Sequence, residues 1–335
     1  MNNIKTFLVL ILLVLLAGLP FLIKGIAPGW WELFSHILTK IFLNVAFGLC
    51  LWMMLQAGML SLGQGAFIAI SAYMTGILSV KYQLVTNLWL CYLIGALTAS
   101  VVSLLLGLIT VHLRRIFFLL VTWAFAEMLH PILTSFENPF GGAAGIVNIP
   151  PPSGISLFGE PGTGYYFITL LYAVVVTLII WSVSLSKVGL IYKSIGQNDI
   201  LTTFCGIHVR RYKLQVFALG CFLTGVGGGI LASYLTAVSP ETFTFFASLD
   251  IIMINLIGGM GFIMGPIIGA VILTGMNEIL FAVGYYKMTV YGLMIILVIR
   301  FLPGGLISIL AVLRTAFRRT GGNQKKGGEV ERTVA

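Results

Sequence analysis

Long apolar blocks separated by short polar stretches dominate the hydrophobic pattern of this chain. A membrane-spanning helix needs about 20 apolar residues, because the hydrocarbon layer is about 30 Å thick and a helix rises about 1.5 Å per residue. The pattern therefore predicts an all-α, polytopic transmembrane helical bundle of about 8–10 spans, the lower counts applying if the short runs are re-entrant. The predicted spans are 7–23, 38–59, 64–80, 88–111, 116–134, 164–185, 214–238, 249–263, 266–283 and 285–302.

Composition supports the membrane assignment. The 335 residues are 59% hydrophobic and 9% charged, whereas a soluble protein carries roughly a quarter charged residues. The four cysteines are scattered without C-x-x-C spacing, so neither a zinc site nor a disulfide framework is expected. The first apolar run, 7–23, resembles a signal peptide, but no convincing small-x-small cleavage site follows it, which favours a first membrane helix.

The net charge of +9 is distributed as in a membrane protein rather than a nucleic-acid-binding one. Loops rich in Lys and Arg lie on the cytoplasmic side of a membrane. Placing the N-terminus inside puts 15 of the 19 basic residues inside, with Lys24, Lys40, Lys81 and Lys287 as the exceptions. Both termini are therefore predicted to be cytoplasmic.

Two long loops and a tail complete the predicted organisation. The predicted transmembrane domain covers 1–313, and the basic, Gly-rich segment 314–335 is expected to be a disordered cytoplasmic tail near anionic lipid. The loop 135–163 lies outside, lacks Lys and Arg and is dense in Gly and Pro, which favours an ordered or semi-rigid series of turns.

Two Gly-rich breaks interrupt apolar runs: "SLGQG" (61–65) and "GGMGFIMGPIIGA" (258–270). Non-helical backbone is tolerated at membrane depth only where it faces protein or water, and paired breaks point to the path of a transporter. Each break is either a tight turn between packed helices or a hinge or wall of a translocation path. The residues proposed for the path or hinge are Ser61, Gly63, Gln64, Gly258, Gly259 and Gly261.

Glu127 is the most central charged residue of the predicted spans. A charge in the bilayer core costs at least about 2.5 kcal/mol, so such groups usually face protein or water. Glu127 is a further path candidate, paired either with His130 one turn later or with another helix. A structural role is about equally well supported.

The inner loop 186–213 carries basic residues around a short predicted helix, Gly196 to Phe204. Asn198 or Asp199 would cap its start, and Gly206 would end it in a left-handed turn. Such a helix suits docking to a soluble cytoplasmic partner, and the alternative is a basic loop resting on lipid. The proposed coupling residues are Gly196, Asn198, Asp199, Gly206, Arg210 and Arg211.

Five blocks in the same order resemble the LivM-type permease subunits of branched-chain amino-acid ABC importers. The block "GGMGFIMGPIIGA" matches the family pattern G-G-x-G-x-x-x-G-P-x-x-G-A in full, and the others match in part. Those are "SLGQGAFIAISAY" (61–73), "FFLLVTWAFAEML" (117–129), "FGGAAGI" (140–146) and "CGIHVRRYKLQVF" (205–217). The chain departs from the family just before the aromatic pair, where Gly is frequent and this chain has Arg115-Ile116, and at "TTFCGI" (202–207), which lacks the family's acidic residue.

The resemblance implies half of an importer pore in a bacterial inner (plasma) membrane rather than an enzyme. The implied partners are a LivH-like second permease subunit, two cytoplasmic ATPase subunits and a periplasmic binding protein, within a lipid bilayer and without nucleic acid. The chain lacks G-x-x-x-x-G-K-[ST], so ATP is expected to be used by the partners and no cofactor is expected here. Movement of the inner loop 186–213, which would couple the ATPase subunits to the path, would open the path alternately outward and inward.

Branched-chain or similar small amino acids are the expected substrates. Related subunits serve urea and other small amides or acids, so a permease for those is the first alternative. An ion-coupled carrier acting alone is a weaker alternative. It would need more than one carboxylate in a cavity within the membrane, and Glu127 and Glu278 support that only weakly. A membrane enzyme is weaker still, since no H-E-x-x-H or paired-aspartate motif occurs.

Overall fold

The computed structural model describes residues 28–281 apart from 84, 86, 114, 154 and 156–160, together with a few isolated positions outside that range. Helices dominate the described part, as predicted. The longer ones are α1 (Pro28–Gln56), α2 (Gln64–Gly76), α3 (Leu88–Thr110), α4 (Arg115–Ser135), α5 (Pro161–Leu185), α6 (Lys187–Gln197), α7 (Asp199–Phe204), α8 (Val209–Leu235), α9 (Phe245–Gly258) and α10 (Met264–Phe281). The predicted spans 7–23 and 285–302 and the tail 314–335 lie outside the described residues, apart from isolated positions.

Six helical stretches in the described part are long and apolar enough to cross a membrane. They are Trp31–Gln56, Leu88–Thr110, Arg115–Ser135, Gly162–Leu185, Val209–Leu235 and Pro240–Gly258. The all-α membrane fold is therefore confirmed. The predicted span 64–80 is the shorter α2 followed by a π-helical turn, Ile77–Lys81. The predicted span 249–263 was misplaced: the helix begins at Phe245 and ends at Gly258, because the Gly-rich turn after it breaks the apolar run.

Residues 1–251 and 252–335 form two compact units. In the first unit, α8 packs against α1, α2 and α3, and α1 packs along α5. The glycines of "GVGGG" (225–229) make this close packing possible: a Cβ on Gly228 would lie 2.6 Å from the Ile68 carbonyl of α2, and one on Gly225 would lie 2.8 Å from Ala96 Cα of α3. Small residues allow membrane helices to approach closely.

The described part of the loop 135–163 is a series of tight turns, as predicted. It contains a helical turn (Glu137–Phe140), a 3-10 turn (Gly142–Ala144) and the short strand β1 (Ile146–Val147). Strand β1 pairs antiparallel with β2 (Ala237–Val238), which follows α8, in the register Ile146 to Val238. A second 3-10 turn, Pro240–Phe243, leads into α9.

Contacts between loops agree with the predicted alternation of sides. The segments predicted outside meet through the β1–β2 pair and through Trp89 Nε1, which donates to the Ser153 carbonyl at 3.4 Å. The segments predicted inside meet where Arg115 contacts the carbonyl of Gly196. The loops therefore sort into two groups, and which group is cytoplasmic stays a prediction.

Candidate functional site

The first break is a buried, non-helical segment, residues 57–63, between α1 and α2. Gly58 has a φ of +72°, a left-handed conformation that glycine adopts without strain. Gly58 lies beside Arg115 at the start of α4, while Gly63 lies beside Thr122, seven residues later on α4. At about 1.5 Å per residue the segment thus climbs about 10 Å along α4. The segment rises from one end of the bundle into its interior.

Side chains from two distant helices hydrogen-bond to the backbone at the start of α2. Leu62 N–H donates to Thr122 Oγ1 on α4 at 3.2 Å, and Gly65 N–H donates to Ser248 Oγ on α9 at 2.9 Å. Ser61 Oγ accepts from Gly63 N–H at 3.2 Å. Helix N-termini leave several N–H groups without intrahelical partners, and these hydroxyls satisfy them. The Ser61 hydroxyl and the backbone N–H groups of the break therefore form hydrogen bonds within the protein.

Gln64 ties three helices together at the same depth. Its side chain is fully buried, its Nε2 donates to Met54 Sδ on α1 at 3.0 Å, and its Oε1 accepts from Thr224 Oγ1 on α8 at 3.1 Å. Ser61 is also fully buried. These contacts favour a hinge or packing role over a path-lining one for Ser61, Gly63 and Gln64, and that role stays a prediction.

The second break is the tight turn between α9 and α10. Gly259 has a φ of +108°, and a Cβ on Gly258 or Gly265 would overlap the backbone of the opposite helix. A Cβ on Gly269 would likewise overlap the Ile254 carbonyl. The two helices therefore pack backbone to backbone, which is the geometry of a tight turn between packed helices. Gly261 is at the tip of the turn with nothing within 4 Å of an added Cβ.

Glu127 lies on an open face of α4. Most side chains of α4 are not buried, and the exposed ones include Ile116, Phe117, Leu120, Trp123 and Met128. Glu127 is exposed as well. Among the described residues it forms no ion pair or hydrogen bond with His130, so the expected i to i+3 pair is not formed. The path-facing role of Glu127 stays a prediction.

The inner loop 186–213 contains two helices rather than one. The predicted helix 196–204 is split, because Asn198 is extended and ends α6 while capping α7, where its Oδ1 accepts from the N–H groups of Ile200 and Leu201. Gly196 belongs to the last turn of α6. Gly206 has a φ of +79° directly after α7, as predicted. Arg210 and Arg211 are exposed in the first turn of α8.

The short helix α7 presents apolar side chains outward. Ile200 is 69% exposed, Leu201 62% and Phe204 83%. Asp199, in the first turn of α7, pairs with Lys213 of α8, whose side chain is only 11% exposed. The Asp199 side chain is 42% exposed, so the pair is only partly buried. It joins the first turn of α7 to α8 on one side, while the apolar side chains of α7 are exposed on the other.

Four residues of this region were missed by sequence reasoning: Arg115, Thr122, Lys213 and Ser248. Thr122 and Ser248 lie in ordinary apolar contexts, and nothing local shows that they bond to a break 60 and 183 residues away. Lys213 was counted only as one of several basic loop residues. Asp199 and Lys213 lie 14 residues apart on separate helices with the Gly206 turn between them, so only the fold reveals the pair.

Known proteins resemble the chain along most of its length. The family described as "Branched-chain amino acid transport system / permease component" matches residues 33–299. The high-affinity branched-chain amino acid transport system permease protein LivM of Escherichia coli (strain K12) is 29% identical over 327 residues, covering 90% of this chain and 75% of that protein. The Salmonella typhimurium LivM protein is 28% identical over 330 residues, with the same coverage.

A more distant likeness concerns a sugar permease. The ribose import permease protein RbsC of Haemophilus influenzae is 30% identical over 156 residues, covering 43% of this chain and 48% of that protein. No solved structure gives a significant match. With its apolar spanning helices and a family match over residues 33–299, the chain belongs to the branched-chain amino acid permease family of ABC importers, whose members are multi-pass membrane permeases.

Proposed function

We propose that the chain is one of two permease subunits of an ATP-driven importer and forms half of the translocation path for branched-chain or similar small amino acids. The substrate class is supported by the two LivM proteins, whose similarity covers 90% of this chain. The similarity to the ribose import permease covers only 43% of this chain, so a sugar substrate is supported less well. A periplasmic binding protein delivers the solute, and both termini of the chain are cytoplasmic.

The bare apolar surface of α7 is the observation that carries the proposal. Phe204, Ile200 and Leu201 are all more than 60% exposed on a short polar-capped helix, and exposed apolar groups rimmed by polar residues mark interaction sites. Each of two ATPase subunits would receive one such helix, one from this chain and one from a LivH-like second subunit. Closure of the ATPase dimer would then displace α7.

The carboxylate of Glu127 supports a second contact in the membrane. Glu127 is eight residues from the end of α4, hence about 12 Å inside it, and burying that charge in lipid would cost at least about 2.5 kcal/mol. The open face of α4 therefore faces water or protein, which fits the path or the second permease subunit.

The assay is uptake into proteoliposomes that contain the chain with its second permease subunit, its ATPase subunits and its binding protein. We expect ATP-dependent uptake of leucine, isoleucine or valine in excess over urea and ribose. Excess uptake of urea or ribose would reassign the substrate. Uptake by the chain alone without nucleotide would instead establish an ion-coupled carrier.

The docking claim is tested by Phe204→Asp, which places a charge on the exposed tip without disturbing a buried contact. We expect ATPase subunits to be lost from the purified complex and uptake to fall at least tenfold. The control is His112→Asp, which adds a carboxylate at another exposed position of the same predicted side. Retained ATPase subunits and unchanged uptake in Phe204→Asp would contradict docking through α7.

A further inference from the structure

The last turn of α6 packs directly on the turn that begins the first break. A Cβ on Gly196 would overlap the Gln56 carbonyl at the end of α1 and lie 3.4 Å from Gly58 N. Both contacts are with backbone, which cannot rotate away as a side chain can. The segment α6–α7 therefore rests on the backbone of residues 56–58 with no side chain between them.

Arg115 joins the two segments from the side. Its guanidinium Nη2 donates to the Gly196 carbonyl. The same guanidinium is next to Gly58, where an added Cβ would lie 3.2 Å from both Nε and Nη2. Charge-assisted hydrogen bonds from arginine are among the stronger polar contacts in proteins. One side chain of α4 thus touches both the end of α6 and the turn at Gly58.

The contacts around Arg115 extend in two directions, towards α7 and towards the start of α2. Towards α7, the Asp199–Lys213 pair fixes the first turn of α7, and Lys213 lines a narrow space together with Gly58 and Arg115. Towards the membrane, the chain from Gly58 reaches Thr122 through the Leu62 hydrogen bond, and then the start of α2. An unbroken series of contacts therefore runs from the exposed tip of α7 to the first break.

We propose that Arg115 is a positioning residue that fastens the α6–α7 segment to the Gly58 turn, so that displacement of α7 moves residues 57–63 and the start of α2. The inference rests on the proposed docking of an ATPase subunit to α7 and goes beyond it, since it names where the displacement is delivered. In this proposal Arg115 acts only through Gly196 and the Gly58 turn. Removal of the Arg115 side chain should uncouple ATP hydrolysis from transport, while the ATPase subunits and the second permease subunit remain bound.

The test uses the complete transporter complex with the wild-type chain and the variants Arg115→Ala, Arg115→Lys, Gly196→Ala and His112→Ala. Hydrogen exchange is measured with and without a non-hydrolysable ATP analogue, on peptides covering 57–63 and 199–204. In the wild type, we expect the analogue to change exchange in both segments. In Arg115→Ala the change at 199–204 should persist, while the change at 57–63 should fall below half of the wild-type value.

The remaining variants separate positioning from general damage. Arg115→Lys keeps the charge but lacks the planar guanidinium with its several N–H donors. It should therefore show an intermediate change in hydrogen exchange at 57–63. Gly196→Ala removes no charge yet pushes α6 away from Gln56, so it should reproduce the Arg115→Ala result. His112→Ala, three residues earlier and exposed, should behave as wild type. Solute moved per ATP hydrolysed should fall several-fold in Arg115→Ala, whereas a merely destabilised complex would lose both rates in proportion.

Two results would overturn different statements. If Arg115→Ala keeps the wild-type response at 57–63, or loses hydrolysis and transport in proportion, Arg115 does not position the segment. If the wild-type complex shows no nucleotide response at 199–204, the docking of α7 in the proposed function is wrong. The two failures are read on different peptides of the same experiment.

Discussion

Gly228 gives the sharpest prediction for the stability of the bundle. At Gly228, α8 crosses α2 so closely that an added Cβ would lie 2.6 Å from the Ile68 carbonyl, with Ile68 Cα and C at 3.1 and 3.2 Å. Ordinary van der Waals contact begins at 3.4 Å, so the added Cβ would come about 0.8 Å too close to that carbonyl oxygen. All three atoms are backbone, and α2 is held in place by its own buried contacts. Gly228→Ala must therefore separate two helices.

The expected cost is that of overpacking a well-packed core, about 1–3 kcal/mol. Alanine also gains about 1 kcal/mol over glycine in helix propensity, which would mask part of the loss. Gly275→Ala on α10 is the matched control, because an added Cβ there meets nothing within 4 Å. The propensity gain is common to both variants, so the difference between them isolates the packing cost.

The measurement is the free energy of unfolding of the purified chain in detergent micelles, by denaturant titration. We expect Gly228→Ala to be less stable than Gly275→Ala by about 1–3 kcal/mol. Equal stability of the two variants would refute the close crossing of α2 and α8. A stable Gly228→Ala variant that unfolds in a separate early step would show instead that the two helices part locally.

Two further predictions concern sidedness and the open face of α4. A membrane-impermeant maleimide should label the exposed Cys205 in inside-out but not right-side-out vesicles, since the segment after α7 is predicted to be cytoplasmic; the reverse result would invert the topology. The other cysteines, all fully buried, should react only after unfolding: Cys50, Cys91 and Cys221. Glu127→Gln should leave assembly with the second permease subunit intact and lower uptake, because the carboxylate is proposed to face the path. The control is Met128→Gln at the next exposed position of α4, and unchanged uptake in Glu127→Gln would assign Glu127 to a structural role.

The elements of this fold follow from hydrophobic pattern because lipid demands long apolar helices. Spans such as 88–111 and 164–185 are nearly the observed α3 and α5, since no internal glycine turn disturbs their apolar runs. The span 249–263 was misplaced because the apolar run continues past Gly258 and Gly259 without a polar residue. The helix nevertheless ends at Gly258, since Gly259 adopts a φ of +108°. Backbone conformation, not polarity, sets that boundary.

The candidate site was less accessible to sequence reasoning because its contacts are long-range. Asn198 was recognised as a cap, yet its extended backbone also ends α6, so the predicted single helix became two. The hydroxyls of Thr122 and Ser248 have no distinguishing neighbours in the sequence. Their role appears only when α4 and α9 are brought beside the start of α2.

The two Gly-rich breaks are held by different contacts. The α9–α10 turn is a local structure in which glycines bring two consecutive helices into backbone contact, so its geometry depends on residues within about a dozen positions of each other. The segment 57–63 instead depends on hydroxyls from α4 and α9 and on the Gln64 contacts with α1 and α8. A shift in any of those helices changes the hydrogen bonds of this segment. The first break is therefore the one whose conformation can respond to movement elsewhere in the subunit, which is what a hinge in an importer requires.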